Sequence, residues 1–205
     1  MTTQERIIEH SAKLFFRYGI KSITMDDIAK DLGISKKTIY QHFTDKDEVV
    51  FQVFSKELEK DKCNYLSLQS AEGNIIDKMV QAIEMFKKTS SEMHPSLIHD
   101  LRKYHPRAWA LHTEYKHNFI FEAFKKDLQQ GIDEGLFRAD IHIDILARFH
   151  LGSMEISFDP QLFPPSLYNL FTVQLILIDH FIRGILSEKG LSIYLAYKDK
   201  FNHNL

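Results

Sequence analysis

The chain is poor in the features that mark several common classes of protein. It has one cysteine, Cys63, in 205 residues, which excludes an intrachain disulfide and any zinc site built from several cysteines. Its most apolar segment, residues 173–186, is interrupted by Asp179, His180 and Arg183 and is shorter than the roughly 20 apolar residues that span a bilayer. The first residues lack the basic and then apolar order of a signal peptide. The sequence therefore predicts a cytoplasmic protein without a membrane partner.

Positive charge is not in excess either. The chain carries 26 Lys and Arg residues against 28 Asp and Glu residues, a formal net charge of −2. Its first 48 residues hold eight of each kind. A DNA-binding protein with this balance depends on a few placed cations rather than on a strongly basic surface.

Strand-like alternation of apolar and polar residues is not sustained anywhere, whereas apolar residues recur at helical spacing along the whole chain. The sequence therefore predicts an all-α fold of about nine helices, of which the first four begin near residues 2, 24, 35 and 46. The later helices are expected over residues 75–88, 95–106, 107–130, 143–156 and 166–186, followed by a polar and aromatic tail over residues 190–205.

Residues 24–43 contain two short helical patterns separated by a single glycine. Thr24 and Asp27 have the spacing of a capping box, in which each side chain bonds the backbone N–H of the other residue. Ser35 is suited to cap the second helix, and Gly33 permits the turn between the two. This layout predicts a helix-turn-helix, whose second helix, here called the recognition helix, enters the major groove of DNA.

The N-terminal quarter resembles the TetR family of bacterial transcription regulators. The resemblance rests on the order and spacing of the segments Phe15–Gly19, Thr24–Ala29, Leu32–Ser35, Thr38–Phe43 and Lys46–Glu48. It implies an N-terminal three-helix DNA-binding domain over residues 1–48 and a larger helical domain for effector binding and dimerisation over residues 49–205, linked by a fourth helix from about residue 46. A DNA-binding regulator without enzymatic activity or cofactor is the expected function.

The recognition helix supplies most of the predicted DNA contacts, because Ile39 and Phe43 share its inward face and leave its polar residues available. The resemblance implies that Tyr40, His42 and Lys46 contact DNA phosphates and that Thr24 also contacts the DNA backbone. The predicted DNA-binding residues are Thr24, Ser35, Lys36, Lys37, Thr38, Tyr40, Gln41, His42 and Lys46.

Three of these residues are suited to read bases. Lys37 could bond O6 and N7 of guanine, Gln41 could bond adenine, and the methyl group of Thr38 could touch thymine. Many relatives have a small residue at the position of Lys37, so a long cation there is a departure from the family pattern.

The C-terminal part is expected to hold a small-molecule effector, as the resemblance implies. Apolar and aromatic side chains with a few polar groups are typical of such pockets. The same composition is also typical of a helical core, so both interpretations stay open. The candidate effector-binding residues are Phe86, Trp109, His112, Tyr115, Phe119 and Met154.

The last long helix is apolar around most of its circumference, which indicates burial on nearly all sides. A terminal helix is difficult to surround within one chain, so we expect a homodimer through the helices at residues 143–156 and 166–186. A two-fold dimer would read a palindromic operator in double-stranded DNA. By resemblance, it would be a repressor that the effector releases.

Other classes find less support. Five histidines lie between His94 and His117, but none is spaced at i, i+4 from another, so no metal site is predicted. No phosphate loop, zinc-hydrolase signature or nucleophile elbow is present, and no catalytic residue is predicted. A regulator controlled by a protein partner, or one with no small-molecule effector, remains the alternative.

Overall fold

A computed structural model describes residues 1–90 and 93–202, with side chains described through residue 197 except at residue 90. Over these residues the fold is helical, without a β-strand, and confirms the predicted all-α class with an N-terminal helix-turn-helix. One isolated antiparallel bridge joins Phe137 to Leu186. None of the helices in the described part is both long and apolar enough to cross a membrane.

The described residues contain eleven α-helices and one π-helical segment, compared with the nine helices expected. In chain order they are α1 Thr3–Tyr18, α2 Met25–Leu32, α3 Lys36–Tyr40, α4 Lys46–Ser70, α5 Ile75–Ser90, α6 Leu97–Tyr104, α7 Pro106–Glu114, the π-helical segment Tyr115–Ile120, α8 Phe121–Asp133, α9 Ile143–Ile156, α10 Leu170–Ile185 and α11 Glu188–Asn202. The recognition helix is α3.

Two predictions near the C-terminus need correction. The helix expected from residue 166 begins at Leu170, because a turn at Pro164 precedes it and the side chain of Asn169 accepts from the N–H of Thr172. The expected tail is wrong over residues 190–202, which belong to α11. Tyr194 anchors this helix, since its ring is buried and its hydroxyl donates to Asp179 at 2.9 Å. Residues 203–205 of that prediction lie outside the described residues.

The chain divides into two compact units. The first comprises Met1–Asn64 and Ser91–Tyr115, and the second comprises Tyr65–Ser90 and Lys116–Leu205. This division by contact differs from the functional boundary expected at residue 48, which stays a prediction.

The first unit is built around α1 to α3. A capping box of Thr2 with Glu5 starts α1. The side chains of Phe15, Ile28 and Ile39 converge from the three helices and retain no exposed surface. Burial of large apolar side chains at this level contributes about 1.5–3 kcal/mol each, so these helices hold their relative positions mainly through this core.

Helices α6 and α7 belong to the same unit. Leu101 is fully buried in its apolar core. The backbone N–H of Lys21 donates to the carboxylate of Asp100 at 3.0 Å. The ring of His105 and the carboxylate of Asp47 lie 2.8 Å apart. Apolar packing and two polar contacts therefore attach this later segment to the N-terminal helices.

The second unit has its own apolar core. The side chains of Ile75, Leu128, Phe137 and Ile185, from separate parts of the chain, are each at most 3% exposed and pack in one cluster. Gly131 is required beside Phe137, because a Cβ atom there would lie 2.1 Å from the ring. This core surrounds a cavity, which is described below.

Candidate DNA-binding surface and internal cavity

The two helices of the helix-turn-helix are positioned by a left-handed glycine and a shared core. Gly33 adopts φ +66°, and its N–H together with that of Ile34 bonds the last carbonyls of α2. Few residues other than glycine adopt such an angle without strain. Ile39 and Phe43 are 0% and 2% exposed, which confirms that this face of the recognition helix points inward.

The hydroxyl groups of three predicted DNA-binding residues form bonds at the helix starts, where Thr24 and Ser35 cap α2 and α3 and Thr38 bonds Ser35. Thr24 and Asp27 form the predicted capping box, with Thr24 Oγ1 donating to the carboxylate at 2.6 Å. Ser35 Oγ accepts from the N–H of Thr38 at 3.1 Å and lies 2.8 Å from its hydroxyl. These bonds fix the starts of α2 and α3 and hold the three side chains in defined orientations.

The three predicted cations have different surroundings. Lys36 pairs with Asp26 at 2.8 Å, and this bond raises the pKa of its ammonium group. Lys46 is half-buried and donates to the carbonyl of Ile20 at 2.5 Å, and burial lowers its pKa. Lys37 is exposed, and its side chain makes no ion pair or hydrogen bond with any described residue. Its ammonium group can therefore reach DNA without breaking an internal contact.

The end of the recognition helix presents the remaining predicted residues. Tyr40 is 47% exposed, and Gln41 and His42 are also exposed. Tyr40 is the last residue of this five-residue helix, and Gln41 and His42 lie in the turn that follows it. A short exposed segment therefore displays an aromatic hydroxyl, an amide and an imidazole. This set can donate to phosphate and base-edge acceptors.

The second unit contains an apolar cavity of about 390 Å³. This volume is in the range of pockets for small organic molecules. Most of its lining is aliphatic, aromatic or thioether, and a small polar group lies among these side chains. The lining residues are Tyr65, Leu68, Gln69, Ile75, Lys78, Met79, Ala82, Ile83, Phe86, Ile120, Phe124, Asp127, His150, Met154, Ile178, Phe181 and Ile182.

Asp127 is the centre of the polar group. The Tyr65 hydroxyl lies 2.9 Å from its Oδ1, and the Gln69 amide donates to the same oxygen at 2.6 Å. Burial nevertheless raises the pKa of the carboxyl to about 6, although the two hydrogen bonds and Lys78 act to lower it. Lys78 donates to the backbone carbonyl of Gln69 at 2.8 Å. The carboxylate is thus ionised at neutral pH, although burial makes its charged form unfavourable.

His150 is held between two phenylalanine rings. Its ring centroid lies 4.5 Å from that of Phe124 and 4.6 Å from that of Phe181. Its Nδ1 is buried and has no hydrogen-bond partner among the described residues. Burial lowers its pKa to about 4, so the imidazole is neutral at physiological pH.

The cavity takes in some of the predicted effector-binding residues. Phe86 and Met154 line it. Trp109, His112 and Tyr115 belong to the first unit, where the Trp109 and His112 rings stack at 5.3 Å. Phe119 lies in the second unit and packs edge-on against Tyr65, itself a lining residue. The assignment of these four residues as effector contacts stays a prediction.

The polar lining residues were not found from the sequence. Asp127 follows Phe124 and precedes Leu128 on the apolar side of α8, and Lys78 lies between Ile76 and Met79. A charged residue within an apolar helical stripe was the available signal. Such a residue also occurs at the edge of an ordinary core, where its aliphatic part packs and its charge reaches water.

Among the described residues, no group of three or more His, Cys, Asp or Glu side chains is arranged to hold a metal ion.

Comparison with known proteins places these features in a family. Residues 7–53 match the family model described as bacterial regulatory proteins, tetR family. The chain is 27% identical over 150 residues to the HTH-type transcriptional repressor KstR2 of Mycobacterium tuberculosis, covering 70% of this chain and 73% of that protein. It is 28% identical over 171 residues to the HTH-type transcriptional regulator YvaF of Bacillus subtilis, covering 77% and 82%.

The fold agrees with solved structures of the same kind. A TetR-family transcriptional regulator from Marinobacter aquaeolei superposes with a TM-score of 0.74 at 21% identity, covering 98% of this chain and 99% of that one. The N-terminal match, the related regulators and the helical architecture all point to a DNA-binding protein that is not an enzyme. Residues 7–53 of the chain thus belong to the TetR family of bacterial transcriptional regulators, and the chain as a whole is similar in fold to a regulator of that family.

Proposed function

We propose that the chain is a homodimeric repressor that binds a palindromic operator and leaves it when a small molecule occupies the cavity of the second unit. The cavity of about 390 Å³ is the observation that carries this proposal, because a regulator without an effector has no need of a large apolar space in its core. The name of the similar protein KstR2, a transcriptional repressor, supports repression over activation. Action on bacterial DNA supports a cytoplasmic location.

The surface of α9 and α10 supports the homodimer. Ile145 and Phe149 on α9 are each 58% exposed, and Ile176 on α10 is 62% exposed. Large apolar side chains exposed together on adjacent helices are typical of protein interfaces. A two-fold axis through such a face would present two copies of the recognition helix to the two halves of a palindrome.

Helix α4 offers a physical route for the effector. It begins with Lys46, a predicted phosphate contact, and its later residues Tyr65 and Gln69 line the cavity. A ligand that bonds these residues acts on the same helix that reaches the operator. Release requires that the ligand bind the conformation unable to hold DNA more tightly than the one that holds it.

The dimer is tested by placing a charge on the exposed apolar face. Ile176→Glu should sediment as a monomer and lose operator affinity, because a carboxylate buried at the interface has no partner. Leu66→Glu is the matched control, since Leu66 is 52% exposed on α4 and should leave the dimer intact. A monomeric wild-type protein that selects no palindrome from random DNA would contradict the proposal.

The DNA contacts are tested at two lysines. Lys37→Ala should cost about 1–3 kcal/mol at the selected operator and relax the base preference at one position in each half-site. Lys46→Ala should weaken binding to all sequences alike and flatten the salt dependence by about one unit for each half-site. Lys60→Ala, on the exposed surface of α4, is the control. A change of base preference in Lys46→Ala would reverse the roles assigned to the two residues.

The effector site is tested by filling the cavity. Nile red, a neutral dye that fluoresces in apolar surroundings, should bind the wild-type protein and not Ile83→Trp, because the indole occupies part of the lined space. Leu66→Trp controls for the added tryptophan. Equal dye binding by all three proteins would favour the alternative, a regulator controlled by a protein partner. The exposed Leu162, Leu167 and Tyr168, at 56%, 77% and 48%, would then be the surface to examine.

A further inference from the structure

The polar end of the cavity is unevenly supplied with hydrogen-bond donors. The Tyr65 hydroxyl and the Gln69 amide both approach Oδ1 of Asp127, at 2.9 and 2.6 Å. Oδ2 receives no hydrogen bond from the described residues and retains accessible surface. An ionised carboxylate has about four acceptor sites on its two oxygens. Because Asp127 lines the cavity, this oxygen is available to accept a hydrogen bond from a bound molecule.

The nearby lysine does not meet this demand. Lys78 is 9% exposed, its ammonium group donates to the backbone carbonyl of Gln69 at 2.8 Å, and it forms no ion pair with Asp127 in the structure. The carboxyl pKa stays raised to about 6 despite Lys78. A second positive charge would lower the cost of this buried anion, whereas an anionic ligand would add a like charge beside it.

The apolar part of the lining suits the body of an organic cation. Phe86, Phe124 and Phe181 all line the cavity, and Phe124 and Phe181 lie 5.7 Å apart, centroid to centroid. Aromatic faces attract ammonium groups and also pack against hydrocarbon. The lining therefore combines one carboxylate with several rings.

We propose that the effector is an apolar organic amine, bound in its ammonium form, which donates to Oδ2 of Asp127 while its hydrocarbon part packs against Phe86, Phe124 and Phe181. The inference rests on the proposed function, because it names the class of molecule that the effector cavity accepts. Asp127 selects the class by charge, and the rings accept bodies of different shape.

The test uses three probes with the same body and different end groups: 4-phenylbutylamine, 4-phenylbutanol and 4-phenylbutyrate. Each is titrated into the purified full-length protein at pH 7.5, with displacement of Nile red and calorimetry as readouts. The amine should bind about ten-fold or more tightly than the alcohol, and the carboxylate should bind most weakly, since a hydrogen bond to a charged group is worth about 1.5–3 kcal/mol. In Asp127→Asn the preference for the amine should disappear, whereas Asp133→Asn, at an exposed position of the same helix, should keep it.

The outcomes separate this inference from the function on which it rests. Tighter binding of the alcohol or the carboxylate, or displacement of the dye by none of the three probes, would overturn the amine class and leave an effector cavity in place. A dye that binds wild type and Ile83→Trp equally would remove the effector cavity itself. The ranking of the probes on wild type needs no variant, so it stands even if Asp127→Asn folds poorly.

Discussion

The first compact unit is packed around Phe15, Ile28 and Ile39, which retain no exposed surface, whereas the second contains a partly open cavity of about 390 Å³. In the first, the threonine and serine side chains at the helix starts bond backbone N–H groups. In the second, the cavity wall includes a carboxyl group whose pKa is raised by burial and a buried imidazole nitrogen without a hydrogen-bond partner among the described residues. The comparison teaches that the core is closed in the unit that carries the helix-turn-helix and left open where we propose that a ligand binds.

The surfaces of the two units differ in the same sense. The first unit displays polar side chains along its recognition helix, including the exposed Lys37 and Gln41. The second displays Ile145, Phe149 and Ile176 in contact with solvent. The first surface suits a hydrated, charged partner and the second an apolar one. The cavity and the buried carboxylate lower the stability of the second unit, which is consistent with a binding function.

The largest expected effect comes from removing a ring in each unit. Phe15→Ala should lower the free energy of unfolding by about 3–5 kcal/mol, because it opens a cavity in a closed core. Phe86→Ala should cost less than half as much, since Phe86 already borders empty space. Chemical denaturation followed by circular dichroism measures both. Equal losses would mean that the second core is as tightly closed as the first.

The next effect concerns the buried carboxylate. Asp127→Asn should raise the free energy of unfolding at pH 7 by on the order of 1–2 kcal/mol, because it removes an anion whose pKa is raised from 3.8 to about 6. The folded carboxyl keeps its proton at pH values where the unfolded one has lost it. Its contribution therefore falls as pH rises from about 4 to about 6. Denaturation at several pH values tests this, and a variant less stable than wild type at pH 7 would contradict it.

The buried imidazole has the opposite pH dependence. His150 has its pKa lowered from 6.5 to about 4, so the unfolded state takes up a proton first and stability is lost as pH falls between these values. This loss of unfolding free energy should be on the order of 1–2 kcal/mol between pH 7 and pH 5. In wild type it should be offset by Asp127, whose contribution to stability rises as pH falls, whereas in Asp127→Asn the full loss should be measured. An ordinary imidazole pKa for His150 by NMR titration would refute the explanation.

The smallest effect compares two glycines. Gly33→Ala should cost about 1 kcal/mol, because φ +66° strains an L-residue even though the space around it is open. Gly184→Ala should stabilise α10 by about 0.5–1 kcal/mol, since this helical position is also open. Thermal unfolding at a protein concentration that favours the monomer measures both. A stabilised but monomeric Gly184→Ala protein would place this glycine in the dimer interface.

The local features of the DNA-binding unit could be predicted from the sequence. The capping boxes at Thr2 and Thr24, the cap at Ser35, the turn at Gly33 and the inward face of Ile39 each depend on residues at most four apart. Such short-range geometry follows directly from residue type and spacing. The helical class follows from periodicity for the same reason.

The contacts that shape the second unit could not be predicted in this way. α11 was missed because Tyr194 is held through a residue 15 positions earlier, and the polar cluster joins Tyr65 to Asp127 across 62 positions. Lys46 stays a predicted phosphate contact, and the sequence did not show that its ammonium group would lie at the carbonyl of Ile20, 26 positions earlier. A pattern read along one helix does not show which other helix will face it.

The sequence by itself determined the helical class, the helix-turn-helix and the polar face of the recognition helix, because hydrogen bonds between near neighbours and the helical repeat fix all three. Tertiary structure alone decided that Asp127, Lys78 and His150 would share one cavity with Phe86 and Met154. Burial, and with it the pKa of a side chain, depends on which distant helices pack around it. That packing is a property of the whole folded unit rather than of any segment.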